Sequence, residues 1–293
     1  MSSVDRRTFL TAALAGTAGG ALLLAGCGGD DGSTGPAVSY LAITFPDGYR
    51  SAPTLVAGSP QRLTFVPRDE VDYMRETAPP TLALAVTFGD QVVAAATVDR
   101  HNDGLITPYY PLVATFAEPG EYEVSLPDYP DVPAVPFVVT TAEEVDIPQL
   151  GELLPVVDTP TVDNPQGVTP ICTRAVPCPF HEHNLTDVIN NGRPTVVLVA
   201  TPGFCQTDIC GPVVDLLIDA ADGRDHIDFI HAEVYTDPSQ FQSGAFPDVT
   251  AMVDALALPF EPALFVADAD GVIIARLDTT FDRAELTDAL ASA

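Results

Sequence analysis

The chain has 293 residues, enough for about two domains of ordinary size. Hydrophobic residues make up 46% of it and charged residues 18%, a balance typical of chains that fold around a buried core. The net charge is −29, and all twelve basic residues are arginine. Because a surface this acidic repels phosphate backbones, the composition excludes nucleic acid as a partner.

The first 26 residues have the pattern of an export signal. Arg6 and Arg7 precede a nearly uncharged run, rich in Ala, Gly and Leu, that extends to Leu24; this is the order of a secretory signal. The paired arginines resemble the twin-arginine signal, which implies export of a folded protein. The sequence Leu-Ala-Gly-Cys that ends at Cys27 resembles a bacterial lipobox. That resemblance implies cleavage before Cys27 and attachment of a lipid to its sulfur.

The alternative for this segment is a transmembrane helix. The run from Thr8 to Gly26 has 19 residues, which is near the lower limit for a span, and its Gly and Ala content makes a span weak. Residues 27–37 are polar and rich in glycine, which favours a flexible tether. We therefore expect a lipid-anchored protein on the extracytoplasmic face of the cell membrane, where disulfides persist.

Residues 38–141 alternate short β-type runs with Pro and Gly, a pattern typical of antiparallel sheets. Several such runs in about 100 residues predict an all-β, immunoglobulin-like sandwich domain. The region has no cysteine, and its histidine, His101, lies in a turn sequence, so a spacer or binding role is predicted. The predicted strands are 39–45, 62–66, 81–88, 91–98, 112–116, 122–126 and 135–140.

The remaining chain divides into a linker and a second domain. Residues 142–170 are acidic and rich in proline, which favours an extended, semi-rigid linker. From Arg193 onward, strand and helix patterns alternate in the order βαβαββα, which predicts an α/β domain over residues 171–293. The predicted strands are 195–200, 226–234, 263–267 and 272–277, and the predicted helices are 213–221, 248–258 and 282–291.

Cys205 and Cys210 lie between the first strand and the first helix of this unit. A thiol at a helix N-terminus feels the positive end of the helix dipole, which lowers its pKa, and a second nearby thiol can resolve a mixed disulfide. Five residues of regular helix would separate the two side chains by about 140°. Cys205 must therefore lie in the loop and Cys210 in the first helical turn, with Thr207 or Asp208 as a cap.

The βαβαββα order, the cysteines at the strand–helix junction, and Glu261-Pro262 directly before a strand resemble the thioredoxin superfamily. The nearest group in layout is the lipoprotein thiol:disulfide oxidoreductases related to TlpA and ResA. The resemblance covers roughly residues 168–293. It implies a thioredoxin-like fold with Pro262 as a cis-proline beside the reactive disulfide. It also implies that Cys205 attacks and Cys210 resolves, with protein thiols or disulfides as partners and no bound cofactor.

The cysteine spacing departs from the Cys-x-x-Cys of that family, because four residues separate Cys205 from Cys210. In a second alignment, Cys210-Gly-Pro-Val matches Cys-Gly-Pro-Cys, which makes Cys210 the nucleophile and Cys205 an added partner. Thr201 and Cys205 also loosely resemble the Thr-x-x-Cys loop of peroxiredoxins, with one extra residue. A third alternative is a structural disulfide on a redox-inactive scaffold that serves binding.

Cys172 and Cys178 form a second close pair in a Pro-rich segment, and the simplest prediction is a structural disulfide between them. His181 and His183 follow, so the alternative is a copper or zinc site built from thiolates and imidazoles. His-x-His is not a standard zinc spacing, and a helix pattern begins at Leu185, so the two histidines also fit a helix start.

Copper handling is a further alternative, because the chain has some features of the Sco family of copper-binding thioredoxin-like lipoproteins. Their motif is Cys-x3-Cys in the loop that holds Cys205 here. That family also needs a late histidine, and this chain has none after His231. His226 and His231 flank the second predicted strand of the α/β domain and are predicted to mark its ends.

Overall fold

A computed structural model describes residues 38–44, 54–204 and 209–293. The predicted signal, the tether and the lipid-anchor residue Cys27 lie outside these residues. Cys205 and the two predicted caps, Thr207 and Asp208, also lie outside them. No helix in the described ranges is both long enough and apolar enough to cross a membrane.

The N-terminal half of the described chain forms antiparallel sheets, as predicted. One sheet has the strand order β1-β2-β5 and the other β4-β3-β6-β7, and each neighbouring pair is antiparallel. Each run predicted as a strand overlaps one of them. The strands are β1 (Tyr40–Ile43), β2 (Pro60–Arg68), β3 (Thr81–Phe88), β4 (Gln91–Asp99), β5 (Tyr110–Thr115), β6 (Gly120–Ser125) and β7 (Val135–Val139).

Alternate residues of these strands fill one apolar core. On β3, Leu82, Leu84 and Val86 are buried while the residues between them are half-buried, which is the period-2 pattern of a strand with one face inward. The same core contains Phe65 from β2 and Tyr122 from β6. The two sheets therefore share their buried faces.

The C-terminal sheet has the order β11-β10-β8-β9. Strands β8 and β9 are parallel, whereas β10 runs antiparallel to both β8 and β11. This order and these directions confirm the predicted βαβαββα unit and make the C-terminal portion thioredoxin-like. Its strands are β8 (Thr195–Val199), β9 (Asp228–Ala232), β10 (Ala263–Ala267) and β11 (Ile273–Asp278), and the helices are α1 (Leu185–Val188), α2 (Cys210–Ala221), α3 (Ala251–Ala255) and α4 (Arg283–Leu290).

Helices cover both faces of this sheet, which explains the uninterrupted apolar run of β8. Val196 and Leu198 lie in the core that contains α2 and α4. Val197 and Val199 lie in a separate core with α1 and α3. All five residues of β8 are buried.

The segment predicted as a linker packs against the C-terminal sheet. The backbone N–H of Gly151 donates to Ile273 O and that of Leu154 donates to Gly271 O, each at 2.9 Å, so the segment follows β11. Ile147 and Leu154 are buried. The prolines keep the chain extended, but the apolar residues between them anchor it to the domain.

The N-terminal half docks on α4 through polar side chains that are largely shielded from solvent. Arg62 on β2 donates to both carboxylate oxygens of Glu285, at 2.7 and 2.5 Å. Its guanidinium also donates to the backbone carbonyls of Thr280 and Asp278, at 2.6 and 3.0 Å. The hydroxyl of Tyr109 donates to the same Glu285 carboxylate. The two halves of the described chain are thus joined by charged hydrogen bonds.

Candidate functional site

Cys210 is the first residue of α2 and is fully buried. It is disulfide-bonded, and neither Cys172 nor Cys178 is its partner, because both of these are free thiols. The location agrees with the predicted place of Cys210 in the first helical turn. The pairing with Cys205 stays a prediction, since Cys205 lies outside the described residues.

The carboxyl group of Glu261 lies beside the Cys210 sulfur. Its Sγ lies 3.7 Å from Oε2 of Glu261, and the same oxygen accepts a hydrogen bond of 2.6 Å from the backbone N–H of Thr201. A disulfide sulfur carries no proton, so this contact is not a hydrogen bond while Cys210 is oxidised. Once the disulfide is reduced, a proton can pass between Cys210 and Glu261. Burial raises the pKa of Glu261 to about 7, although the hydrogen bond from Thr201 opposes the shift. A carboxyl with this pKa can give or take a proton at neutral pH.

The peptide bond between Glu261 and Pro262 is cis, as the resemblance to thioredoxins implied. Pro262 is buried and directly precedes β10. Because β10 pairs with β8, the turn at Pro262 meets the loop that leads from β8 to α2. Glu261, Pro262 and the first turn of α2 thus lie together at the end of the sheet where β8 finishes and β10 begins.

Three aromatic side chains form a series that ends at the protein surface. Burial, and secondly the charge of Glu261, raises the pKa of Tyr235. The Tyr235 ring contacts Phe241 with centroids 5.0 Å apart, and Phe241 contacts Phe246 at 5.9 Å. Phe246 is 90% exposed. An exposed phenylalanine at the end of such a series offers an apolar contact to another molecule.

A second group of reactive side chains forms at β9, the strand that flanks β8 on the side away from β10. Cys172, Cys178, His181 and His231 are all buried, and one ligand atom from each lies within 4.8 Å of the others. The Cys178 Sγ lies 3.3 Å from both His181 Nε2 and His231 Nδ1. The two nitrogens are 3.2 Å apart, and Cys172 Sγ lies 4.0 Å from His231 Nδ1.

Two elements position this cluster. His231 lies on β9, the edge strand, where its backbone N–H donates to Phe180 O at 3.0 Å. Cys172, Cys178 and His181 come from the loop that precedes α1. The loop therefore covers the outer edge of β9 and turns its thiols toward the histidine of that strand.

The same loop touches the chain that leads to α2. The hydroxyl of Thr173 donates to the Glu233 carboxylate and accepts a hydrogen bond of 2.9 Å from the backbone N–H of Gly203. A Cβ on Gly203 would lie only 2.6 Å from Thr173 O. Residue 203 must therefore be glycine for the two loops to approach this closely.

Protonation within the cluster is uneven. A hydrogen bond from the Cys178 thiol lowers the pKa of Cys172, while donating that proton raises the pKa of Cys178. Burial lowers the pKa of His181. At His231 burial acts in the same direction, but the hydrogen bond with Cys172 and the charge of Glu233 outweigh it and raise the pKa. The cluster therefore favours a thiolate at Cys172 beside imidazole nitrogens.

Three expectations about this region need correction. The predicted disulfide between Cys172 and Cys178 is not formed in the structure, where both are free thiols turned toward imidazole nitrogens. His183 is exposed and lies apart from His181. His231, which we expected to mark a strand end, is 1% exposed and belongs to the cluster. The available signal was a histidine between Ile230 and Ala232, in the most apolar part of the predicted strand.

No family model matches the sequence, and no curated protein matches it. Among solved structures, the chain is similar to a secreted Mycobacterium tuberculosis disulfide oxidoreductase homologous to E. coli DsbE, with 18% identity over 38% of this chain and 88% of that one, at a TM-score of 0.30. It is also similar to MTB DsbF, with 14% identity over 47% and 96% of the two chains, at a TM-score of 0.33. A thiol-disulfide oxidoreductase from Bacteroides fragilis matches with 10% identity over 48% and 98%, at a TM-score of 0.33. These values are too low to carry an inference about activity, so the fold rests on the strand order and pairing described above.

Proposed function

We propose that this protein is an extracytoplasmic thiol:disulfide oxidoreductase, held to the membrane by a lipid on Cys27, that acts through Cys205 and Cys210. The observation that supports it is the disulfide-bonded Cys210 in the first turn of α2, with the Glu261 carboxyl 3.7 Å away. Redox chemistry at a helix N-terminus needs a stabilised thiolate and a group that moves its proton. Helix α2 and Glu261 supply both.

In the reducing direction, the Cys205 thiolate attacks one sulfur of a substrate disulfide, and the other substrate sulfur leaves as a thiolate. The Glu261 carboxylate then takes the proton of Cys210. The Cys210 thiolate attacks Cys205 Sγ, the mixed disulfide breaks, and the second substrate thiolate leaves. Two electrons pass to the substrate, and the bond between Cys205 and Cys210 forms. In the oxidising direction, protonated Glu261 gives its proton to the departing Cys210.

We also infer that residues 38–141 form an immunoglobulin-like sandwich that carries this domain. The strand orders 1-2-5 and 4-3-6-7 support it. Tyr122, near the start of β6, donates its hydroxyl proton to Glu118 O at 2.6 Å. That is the position and the bonding of the tyrosine that closes a corner in such sandwiches.

The test measures the stability of the Cys210 disulfide in the full chain, purified in detergent. The protein is equilibrated in graded glutathione buffers, free thiols are alkylated, and mass spectrometry reports which cysteines have reacted. Opening of the Cys205–Cys210 bond above about −270 mV, the range of exchange catalysts, supports the proposal. A bond that stays closed below about −300 mV, as structural disulfides do, rejects it in favour of a binding protein on the same scaffold. A His183→Gln variant is the control, because it changes an exposed side chain outside this pair.

A further inference from the structure

We propose that Cys172, Cys178, His181 and His231 form a closed tetrahedral site for one Zn²⁺ ion. Two thiolates and two imidazoles are a ligand set that structural zinc sites use, and such a set in a tetrahedral arrangement is typical of zinc. All four residues are buried and their ligand atoms converge. The site does not include Cys210, although Cys172 and Cys178 share a core with it, and the inference does not depend on the proposed redox function.

The distances between the ligand atoms fit one central ion. With Zn–S bonds of about 2.3 Å and Zn–N bonds of about 2.0–2.1 Å, tetrahedral geometry places two nitrogens about 3.3 Å apart and a nitrogen about 3.6 Å from a sulfur. The nitrogens of His181 and His231 are 3.2 Å apart. Three sulfur–nitrogen distances in the structure are 3.3, 3.3 and 4.0 Å. These four pairs differ from the ideal values by a few tenths of an ångström, and the other two pairs lie within 4.8 Å, so small movements would let one ion bond all four atoms.

A hydrogen bond outside the cluster sets the tautomer of His231. Its Nε2 lies 3.0 Å from Ala200 O, and a carbonyl only accepts, so Nε2 carries the proton. The lone pair of Nδ1 then points into the cluster. Fixing the second ring nitrogen with a backbone carbonyl is how metal-binding histidines are usually oriented.

The surroundings of His181 also favour a metal ligand. It is 2% exposed, and its Nδ1 has no hydrogen-bond partner among the described residues. Its Nε2 faces the Cys178 sulfur and the His231 nitrogen, and the Cys172 sulfur also lies within 4.8 Å of the His181 ligand atom. A buried imidazole with so few hydrogen bonds is unfavourable by itself. A metal bond to Nε2 would give this buried ring a strong interaction and place its proton on Nδ1.

Charge and connectivity favour zinc in a structural role. Two thiolates neutralise a divalent cation, so the loaded site adds no net charge to the protein interior. Four protein ligands leave no open position for a substrate. Three of the ligands come from an irregular loop and the fourth from β9, so the ion would tie this loop to the sheet. The tie would also hold Thr173 against Gly203, in the loop between β8 and α2.

The experiment measures metal content and coordination in the full chain, purified in detergent under reducing conditions. We expect one Zn²⁺ per chain by elemental analysis and two sulfur with two nitrogen ligands by X-ray absorption. Replacement by Co²⁺ should give the absorption bands of a tetrahedral thiolate complex. Cys172→Ser and His231→Gln should reduce the metal content to background, whereas His183→Gln, which changes an exposed neighbour, should leave it unchanged.

Several outcomes would overturn the proposal. Wild-type protein that takes up no Zn²⁺ from a large molar excess of the ion has no such site. Zinc content that survives both ligand variants places the ion elsewhere. Uptake of Cu(I) on the two sulfurs alone, in preference to Zn²⁺, replaces the assignment with a copper site. Because the Co²⁺ spectrum uses wild-type protein, a ligand variant that fails to fold does not leave the question open.

Discussion

The sulfur of Cys210 lies 3.7 Å from a carboxyl oxygen of Glu261, the residue joined to Pro262 by a cis peptide bond. The contact connects the first turn of α2 to the start of β10, two elements that are far apart in the sequence. Because burial raises the pKa of Glu261 to about 7, its protonation state changes at the pH where thiols exchange. Two predictions depend on this carboxyl.

The first concerns the rate of disulfide exchange. Glu261→Gln keeps the shape of the side chain but cannot move a proton, so we expect the rate at neutral pH to fall by about 100-fold. In the reducing direction, the wild-type rate should rise with pH through about 7, as the Glu261 carboxylate forms. The variant should lack that inflection. The control is Glu118→Gln, which changes an exposed glutamate. Identical pH profiles for variant and wild type would remove Glu261 from the mechanism.

The second concerns stability as a function of pH. The pKa of Glu261 is about 7 in the folded chain against 4.5 for an ordinary glutamate, so the folded state binds the proton more tightly than the unfolded state. Its contribution is therefore favourable at low pH and is lost as the pH rises from about 4.5 to about 7, by up to about 3 kcal/mol. Urea unfolding at pH 5 and pH 7.5 should show a smaller decrease for Glu261→Gln than for wild type. Equal decreases would mean that Glu261 titrates normally.

The third prediction separates the two alignments of the cysteines. If Cys205 is the nucleophile, Cys210→Ser can still attack a substrate but cannot resolve the product, so a mixed disulfide on Cys205 should accumulate. Cys205→Ser should then form none. Non-reducing gels and mass spectrometry after incubation with an oxidised protein substrate identify the trapped cysteine. Trapping on Cys210 in the Cys205→Ser variant would reverse the roles.

Local sequence patterns predicted the elements well and the long-range contacts poorly. The strand predicted at 263–267 has the same bounds as β10. An apolar run between turn residues is a local pattern, and it is enough to define where a buried strand begins and ends. Arg62 and Glu285 are 223 positions apart, and no local period relates them. His231 was missed for the same reason, since its partners come from a loop 50 or more residues earlier. Only the pairing of β8 with β9 brings that loop and that strand together.

The fourth prediction tests the ion pair that joins the two halves of the described chain. Arg62→Ala leaves the Glu285 carboxylate inside the protein beside Tyr109 without its partner, which should destabilise folding by about 3–5 kcal/mol. Arg283→Ala removes a half-exposed arginine that pairs with exposed Asp219 at 3.0 Å, and should change stability by less than about 1 kcal/mol. Urea denaturation measures both. Similar losses for the two variants would show that the Arg62 pair is solvated.

The fifth prediction concerns the kind of substrate. Phe246 is 90% exposed and ends the aromatic series that begins at Tyr235, the residue whose pKa the charge of Glu261 helps to raise. An apolar side chain in that position can bind the residues around a cysteine in a protein but gains little from a small disulfide such as oxidised glutathione. Phe246→Ser should therefore raise KM for an oxidised protein substrate by about tenfold, the effect of losing about 1.4 kcal/mol of binding.

The same Phe246→Ser variant should keep its wild-type rate with the small disulfide, because the Cys210 disulfide and Glu261 are unchanged. Val71→Ser, which replaces another apolar side chain that is 86% exposed but lies in the N-terminal half, is the matched control and should leave KM unchanged for both substrates. A loss of rate with the small disulfide would mean that Phe246 supports the site itself. Unchanged KM for both substrates would mean that protein substrates approach Cys205 and Cys210 from another side.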